Sequence, residues 1–398
     1  KEKLYGIEIR DDPLSKIRNK YFLDTNNIIK SDFLAVEPFN VDLVIGNPPY
    51  IQLKKLPEDQ RRNAQKIIKK FNFNLPLNSS LWLPFVLHSS SFLNPGGKIS
   101  FVLPFEMTYV KYALGLWKFL KNNFGRLTLI RIYEDIFPKV DVETILFIAE
   151  QYGKCTNFVN YEIYATKDDL IRKNIKKNEN IEFSGLLAGE RPFVKKLLSS
   201  EQLNLLGNLQ TDGIIKDSIN FCKFNIGYVS ADKDYFHPSK KTIKKFDLPE
   251  DCLVNAIPNA KILKDRMGLV LDSGEITSKL FYPKGVEKSP NVRKYIEYGL
   301  ENDVHNRYKC RNRNPWYIVP NIKIPDLILT VFGDLPRIFI NNGNYAASNI
   351  LLIGIMNNDY KSNDFIINWF TSLTLLSIEL NVHSLGGGVL ILIPGEVD

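Results

Sequence analysis

The sequence predicts an α/β fold in its first part, followed by a second domain of mixed α+β character. Three observations carry that prediction. Through the first 150 residues, short apolar runs alternate with helix-period segments, the pattern of a largely parallel sheet with helices on its faces. Beyond about residue 155 the alternation stops, and Lys and Asn rise through 166–180. At 398 residues, with 44% hydrophobic and 24% charged side chains, the chain has the composition of a globular protein and is long enough for two cores.

The elements follow in order. Residues 4–9, 41–45, 99–103, 127–132 and 144–149 read as strands. Most are continuous apolar runs without period-2 polarity, as expected of strands buried on both faces. Helices are predicted over 58–71, 81–92 and 109–123, the second running into Asn94-Pro95-Gly96-Gly97, a helix stop and turn. A boundary is placed near 175, giving domains 1–175 and 176–398. Little helix is expected after it until about residue 364. The chain opens Lys1-Glu2-Lys3, without Met, and enters a strand at once. It is read as a fragment whose upstream part is missing.

Composition removes several function classes. No apolar run reaches the roughly 18 residues of a membrane helix. Cys155, Cys222, Cys252 and Cys310 lie far apart without a CxxC pair, so no disulfide framework or zinc knuckle is expected and a reducing, cytoplasmic setting fits. His88, His237, His305 and His383 are scattered, so no metal is expected. No Pro-Cys dipeptide occurs, against cytosine-C5 methylation through a thiolate, and there is no phosphate-binding Gly-x-x-x-x-Gly-Lys loop. The net charge of +8 permits a polyanionic partner.

The strongest chemical signal is Val41-Asp42-Leu43-Val44-Ile45-Gly46-Asn47-Pro48-Pro49-Tyr50. An apolar strand ends in Gly and enters a rigid Pro-Pro loop between an amide and a phenol. Ligands bind at the carboxyl ends of strands in open α/β sheets, and two prolines hold nearby carbonyls still. By itself the segment could be a plain Pro-Pro turn. In this setting it resembles the catalytic motif of amino-methylating, S-adenosylmethionine-dependent methyltransferases. The resemblance implies a Rossmann-like methyltransferase sheet, present here in part, with S-adenosylmethionine as cofactor. The amide oxygen of Asn47 and the carbonyl of Pro48 would accept the two N–H bonds of an exocyclic amine and turn its lone pair towards the methyl donor. Tyr50, beside Pro49, would face a base flipped from the duplex.

Other segments extend the resemblance. Leu4-Tyr5-Gly6-Ile7-Glu8-Ile9 matches the strand whose acid, here Glu8 followed by Ile9, binds the cofactor ribose. Lys30-Ser31-Asp32-Phe33-Leu34 matches the loop whose Asp32 would bind the cofactor adenine amine and whose Phe33 would pack on its ring; Asn47 would border the cofactor too. Taken singly, Glu8 reads more readily as a solvated strand-end acid and Asp32 as a turn residue; it is their order before Asn47-Pro48-Pro49-Tyr50 that favours the cofactor roles. Glu134-Asp135-Ile136-Phe137-Pro138 resembles the segment whose aromatic, Phe137, stacks on the extruded adenine; a core phenylalanine is the plain alternative.

Only 15 positions separate Asp32 from Asn47, which leaves no room for a recognition domain between cofactor and catalytic motifs. That order resembles the gamma class of adenine-N6 DNA methyltransferases of type II restriction–modification systems, with a TaqI-like specificity domain at the C-terminus. Gly227-Tyr228-Val229-Ser230-Ala231-Asp232-Lys233 and the 307–317 segment resemble its recognition region. Arg307, Lys309, Arg311 and Arg313 alternate, so on a strand they would share one face and track phosphates, with Trp316 as an aromatic anchor; a solvated strand face is the plain alternative. Lys240, Lys241, Lys244 and Lys245 form a weaker cluster, equally a loop or a DNA contact. The Phe-x-Gly-x-Gly cofactor loop of this family is absent and is expected upstream of Lys1.

The function expected is therefore methyl transfer from S-adenosylmethionine to N6 of a flipped adenine in double-stranded DNA, by a monomer. A cognate or fused restriction endonuclease is left open as partner. The other classes weighed are a protein-glutamine or RNA N-methyltransferase and a catalytically incompetent DNA-recognition subunit.

Overall fold

The structure, a computed structural model, describes residues 4–13, 27–134, 142–264, 266, 268–333, 337–384 and 390–397. The chain forms two compact units, 1–199 and 200–398. The predicted boundary near 175 precedes a strand, Lys177–Glu182, that joins the sheet of the first unit.

In the first unit, β1 (Gly6–Glu8) and β2 (Ile28–Lys30) form a parallel pair. A six-stranded sheet is built from β3 (Val41–Gly46), β4 (Leu93–Pro104), β5 (Phe124–Ile132), β6 (Thr144–Tyr152), β7 (Phe158–Tyr164) and β8 (Lys177–Glu182). Its order is β3-β4-β6-β5-β7-β8. β3 runs parallel to β4, and β6 lies antiparallel between β4 and β5. The helices that connect these strands include α1 (Glu58–Lys70), α2 (Trp82–Ser90) and α3 (Leu114–Asn123), with a shorter one, Lys167–Arg172, between β7 and β8. α2 is buried almost all round, which explains an apolar run with no polar face. α3 starts later than the sequence suggests because residues 105–108 and 111–113 take tight 3₁₀ turns first.

Two strand expectations are corrected. The Asn94–Gly97 turn is absorbed into β4 as an irregularity: Val41 pairs with Leu93, but Leu43 pairs with Lys98. Asn94 fastens it by donating from Nδ2 to Asp42 Oδ1 at 2.8 Å. β3 is also not buried on both faces. Val44 packs on the core, whereas Leu43 and Ile45 are 53% and 73% exposed.

One ion cluster pins the middle of the sheet. Glu150 on β6 is buried and bonds Lys98 of β4 at 2.9 Å, and it also pairs with Arg126 of β5. Burial alone would raise its carboxyl pKa, but the hydrogen bonds from Lys98 and Arg126 outweigh it and hold it below the ordinary range.

The second unit holds a four-stranded antiparallel sheet, ordered Ile338–Ile340, Leu327–Thr330, Leu351–Met356, Cys222–Ile226. A smaller mixed sheet joins Lys279–Phe281, Leu253–Ile257 and Ala346–Ala347. The expectation of little helix before residue 364 is wrong. Pro290–Glu301 and Ser200–Thr211 are 12-residue helices. The first begins with Pro at its first turn and turns Val292, Tyr295 and Gly299 inward, a helical spacing.

The depressed Glu150 carboxyl makes the first unit sensitive to acid. Its contribution is complete above about 4.5, the ordinary carboxyl value, and is lost as pH falls through the lower folded value. Glu150→Gln at neutral pH should cost about 1–2 kcal/mol in chemical denaturation, since it leaves two partly exposed cations facing a neutral group. It should also flatten the acid limb of the stability curve.

Candidate functional site

The carboxyl ends of the strands carry the candidate residues. Register places Gly46 opposite Phe101, and a Cβ on Gly46 would lie 3.3 Å from the Phe101 ring. Glycine therefore lets the chain leave β3 tightly over β4. Asn47 follows, exposed, and Pro48 is buried. The Tyr50 hydroxyl donates to Asn47 Oδ1 at 3.1 Å. Burial pushes the Tyr50 phenol pKa well up, so it stays protonated and keeps donating. An amide oxygen has a second lone pair, which leaves Asn47 one acceptor site. Among the described residues no backbone donor reaches the Pro48 carbonyl.

The exit from this loop is strapped down. Leu53 N–H donates to Ser79 O at 2.9 Å, and Leu81 N–H donates to Ile51 O at 2.8 Å. The next residue, Trp82, donates from its indole to Glu106 Oε1 at 3.1 Å, and Tyr112 donates to the same oxygen at 2.9 Å. Glu106, just beyond the end of β4, thus gathers the residues around the loop. Sequence reasoning misses it, although an acid two residues past a buried strand is a readable signal.

Glu8 ends β1 and Asp32 follows β2 by two residues; Glu8 lies opposite Lys30, and Ser31 N–H donates to Glu8 O at 3.2 Å. Glu8 accepts the Arg10 amide at 2.9 Å, and Ile9 is 44% exposed. Asp32 caps the 3₁₀ turn Phe33–Ala35 through the Leu34 amide at 3.1 Å and takes Asn63 of α1 at 2.9 Å. Phe33 packs face to face with Phe92 at 5.4 Å and beside Phe85 and His88. Phe137 lies outside the described residues.

In the second unit the predicted cationic strand is a short helix, Tyr308–Arg311, capped by Arg307. The four cations therefore do not share one face. Arg313 turns inward and donates to Val229 O at 2.6 Å and Ser230 O at 3.2 Å. Arg307 pairs with Asp232 at 3.4 Å. Lys309 and Arg311 stay exposed beside the Tyr308 ring, at 5.6 and 5.8 Å, and Tyr308 is 67% exposed. Trp316 is partly buried and packs on Tyr235 at 5.5 Å. The two segments singled out in the sequence, 227–233 and 307–317, are thus bound to one another. Gly227 approaches so closely that a Cβ would lie 2.2 Å from Ala347 O.

The chain thus joins a partly parallel sheet, with an amide-Pro-Pro-phenol loop at a strand end, to a second unit built on a four-stranded antiparallel sheet and a smaller mixed one. Residues 190–398 match the family described as type II methyltransferase M.Eco57I, C-terminal domain, and residues 3–137 match the Eco57I restriction-modification methylase family. The chain belongs to this type II methyltransferase family. It is 22% identical over 331 residues to type II methyltransferase M.BstVI of Geobacillus stearothermophilus, covering 76% of this chain and 56% of that protein. Against M.AccI of Acinetobacter calcoaceticus the identity is 22% over 351 residues, with 83% and 63% covered. The chain thus spans less than two thirds of the length of these relatives. The type IIL restriction-modification enzyme MmeI, solved in complex with DNA, shares the fold at a TM-score of 0.52 and 12% identity, over 90% of this chain and 46% of that one.

No helix among the described residues is long and apolar enough to cross a membrane, and no group of three or more His, Cys, Asp or Glu there could hold a metal.

The inward turn of Arg313 separates architecture from surface. Arg313→Ala should lower unfolding free energy by about 1–3 kcal/mol, because two carbonyls lose charge-assisted donors. Lys309→Ala should change it by less than about 0.5 kcal/mol. Paired denaturation curves would show the contrast.

Proposed function

We propose that this chain is the catalytic and specificity portion of a DNA methyltransferase that methylates N6 of an adenine flipped from duplex DNA, within a restriction–modification system. The observation carrying this reading is the Tyr50–Asn47 hydrogen bond at the carboxyl end of β3, within a chain of the type II methyltransferase family.

The donor set suits the cofactor. Glu8 and Asp32 put two carboxylates at adjoining strand ends, the acceptors that ribose hydroxyls and an adenine amine require. Glu8 and Asp32 would hold S-adenosylmethionine, with Phe33 beside them. When bound it supplies an electrophilic methyl group. The chain's own task is orientation. Tyr50 fixes the Asn47 carboxamide, the free lone pair of Asn47 Oδ1 and the Pro48 carbonyl each accept an N–H of the target amine, and the amine lone pair is directed out of the base plane. The Tyr50 ring offers a stacking face, and Phe137 is proposed for a second. In the second unit Lys309, Arg311 and Tyr308 are proposed to contact the duplex, with Arg307 at their edge; Arg313 and Trp316 support them from within.

In the full-length protein, Asn47→Ala should abolish N6-methyladenine, measured by nucleoside mass spectrometry, while duplex binding is retained. Methylation at cytosine N4, or unchanged adenine methylation, would overturn the reading. Tyr50→Phe should lower kcat by about tenfold with little change in DNA affinity, the value of one hydrogen bond that orients the acceptor. Wild-type kcat in Tyr50→Phe would remove the orienting role.

A further inference from the structure

The second unit carries a cluster of lysines around a small cavity. The Lys240–Phe246 helix has four lysines in seven residues and no acid, with Ser239 capping it through the Thr242 amide. Its i,i+4 pairs, Lys240 with Lys244 and Lys241 with Lys245, are like-charged, which destabilises an isolated helix. Lys245 is absorbed against the Phe246 and Tyr298 rings, at 5.1 and 5.6 Å. Lys240, Lys241 and Lys244 remain exposed, and no ion-pair partner is found for them among the described residues. An external anion would relieve the repulsion within such a cluster.

Beside the helix lies an open cavity of about 250 Å³, lined by Lys233, Ser239, Lys240, Thr277, Ser278 and Lys279, with Asp234 as its one acid and His237 as its imidazole. Lys279 is tied to Glu250 at 2.9 Å. His237 bonds Lys279 O through Nδ1 at 3.1 Å, with the Tyr228 hydroxyl 3.4 Å from Nε2. Burial pushes the imidazole pKa down to about 4, so it is neutral and adds shape and no charge. Lys233 and Lys240 have no ion-pair partner among the described residues and outnumber the cavity's single acid, Asp234, and Ser239, Thr277 and Ser278 bring hydroxyls. This mixture matches a phosphodiester oxygen set. The volume is below that of ordinary small-molecule sites. The cavity also adjoins the 227–233 segment, because Lys233 follows Asp232, the partner of Arg307.

We propose that this cavity and the exposed face of the Lys240–Phe246 helix hold the phosphate backbone of duplex DNA, a contact separate from the Tyr308–Arg311 helix. The proposal rests on the DNA methyltransferase reading of the chain. It assigns to Lys233, Lys240, Lys241 and Lys244 sequence-independent positioning of the duplex, with no base readout.

The test is the salt dependence of binding of the full-length protein to a random-sequence duplex. The pair Lys233→Gln/Lys240→Gln should reduce the slope of log K against log salt by about 0.9 for each phosphate that is no longer neutralised. Lys241→Gln/Lys244→Gln should reduce it again, and Lys233→Arg/Lys240→Arg should restore the wild-type slope. Wild-type slopes in both Gln pairs would overturn the proposal and leave the methylation reading standing. Failure of the wild-type protein to bind the duplex would overturn both. Unchanged duplex slopes together with weakened binding of inorganic phosphate, measured by calorimetry, would make the cavity a site for the free anion and overturn its DNA role.

Discussion

The sheet that carries the Asn47 loop is tied across three strands by one buried carboxylate. Glu150 sits on β6 between two neighbours and binds a cation from each, Lys98 on β4 and Arg126 on β5. Lys98 is also the residue at which β4 resumes pairing with β3 after the irregularity at residues 93–98. A strand slipped by one residue would turn every side chain to the wrong face, and β4 has an irregular start that by itself invites slippage. Fixing Lys98 fixes Gly46 opposite Phe101, and with it the exit of the Asn47 loop. A charge cluster in the middle of the sheet thereby reinforces the register on which a neutral amide at its edge depends.

At that edge the orienting groups are also chosen for constancy. Tyr50 is held protonated by burial, so its donation to Asn47 does not depend on pH across the physiological range. Glu106 is saturated on one oxygen by two neutral donors, Trp82 and Tyr112. Here Tyr50, Trp82 and Tyr112 as donors and Glu106 as acceptor each have a defined partner, the condition under which a polar network rigidifies its surroundings, whereas the buried Ser79 and Ser80 hydroxyls beside them have none among the described residues. Asn47 itself is exposed, with its geometry set by the residues behind it.

Much of the first unit is legible in sequence because its strands are continuous apolar runs and its turns carry Gly and Pro. All five predicted strands occur, with ends shifted by up to several residues where the irregular β4 and the 3₁₀ turns before α3 intervene. The exposed face of β3 is not legible, since Leu43 and Ile45 look like core residues in any local reading. In the second unit the Pro290–Glu301 helix has a readable start at Ser289-Pro290 and inward residues at helical spacing, but its aromatic and charged content masks the period. The 307–313 segment fails for another reason. Alternation of charge mimics strand periodicity, although only alternation of apolar and polar residues reports a pleat. The deciding partners, Val229, Ser230 and Asp232, lie more than 70 positions away in the chain.

That failure bears on how basic segments are read. An arginine whose guanidinium is desolvated against carbonyls, as Arg313 is, shows its pKa lowered by burial and contributes to folding. One paired to a carboxylate, as Arg307 is to Asp232, has spent part of its field on a neighbour. Only cations with free, hydrated heads can release counterions from a nucleic acid. In the 307–313 segment those are Lys309 and Arg311, two of the four. The other two bind the segment to residues 229–232, and without that anchorage the exposed pair would sit on a helix of four residues, too short to hold its own shape in water. Buried Arg313 and the Arg307–Asp232 pair are what make the external cations a defined surface.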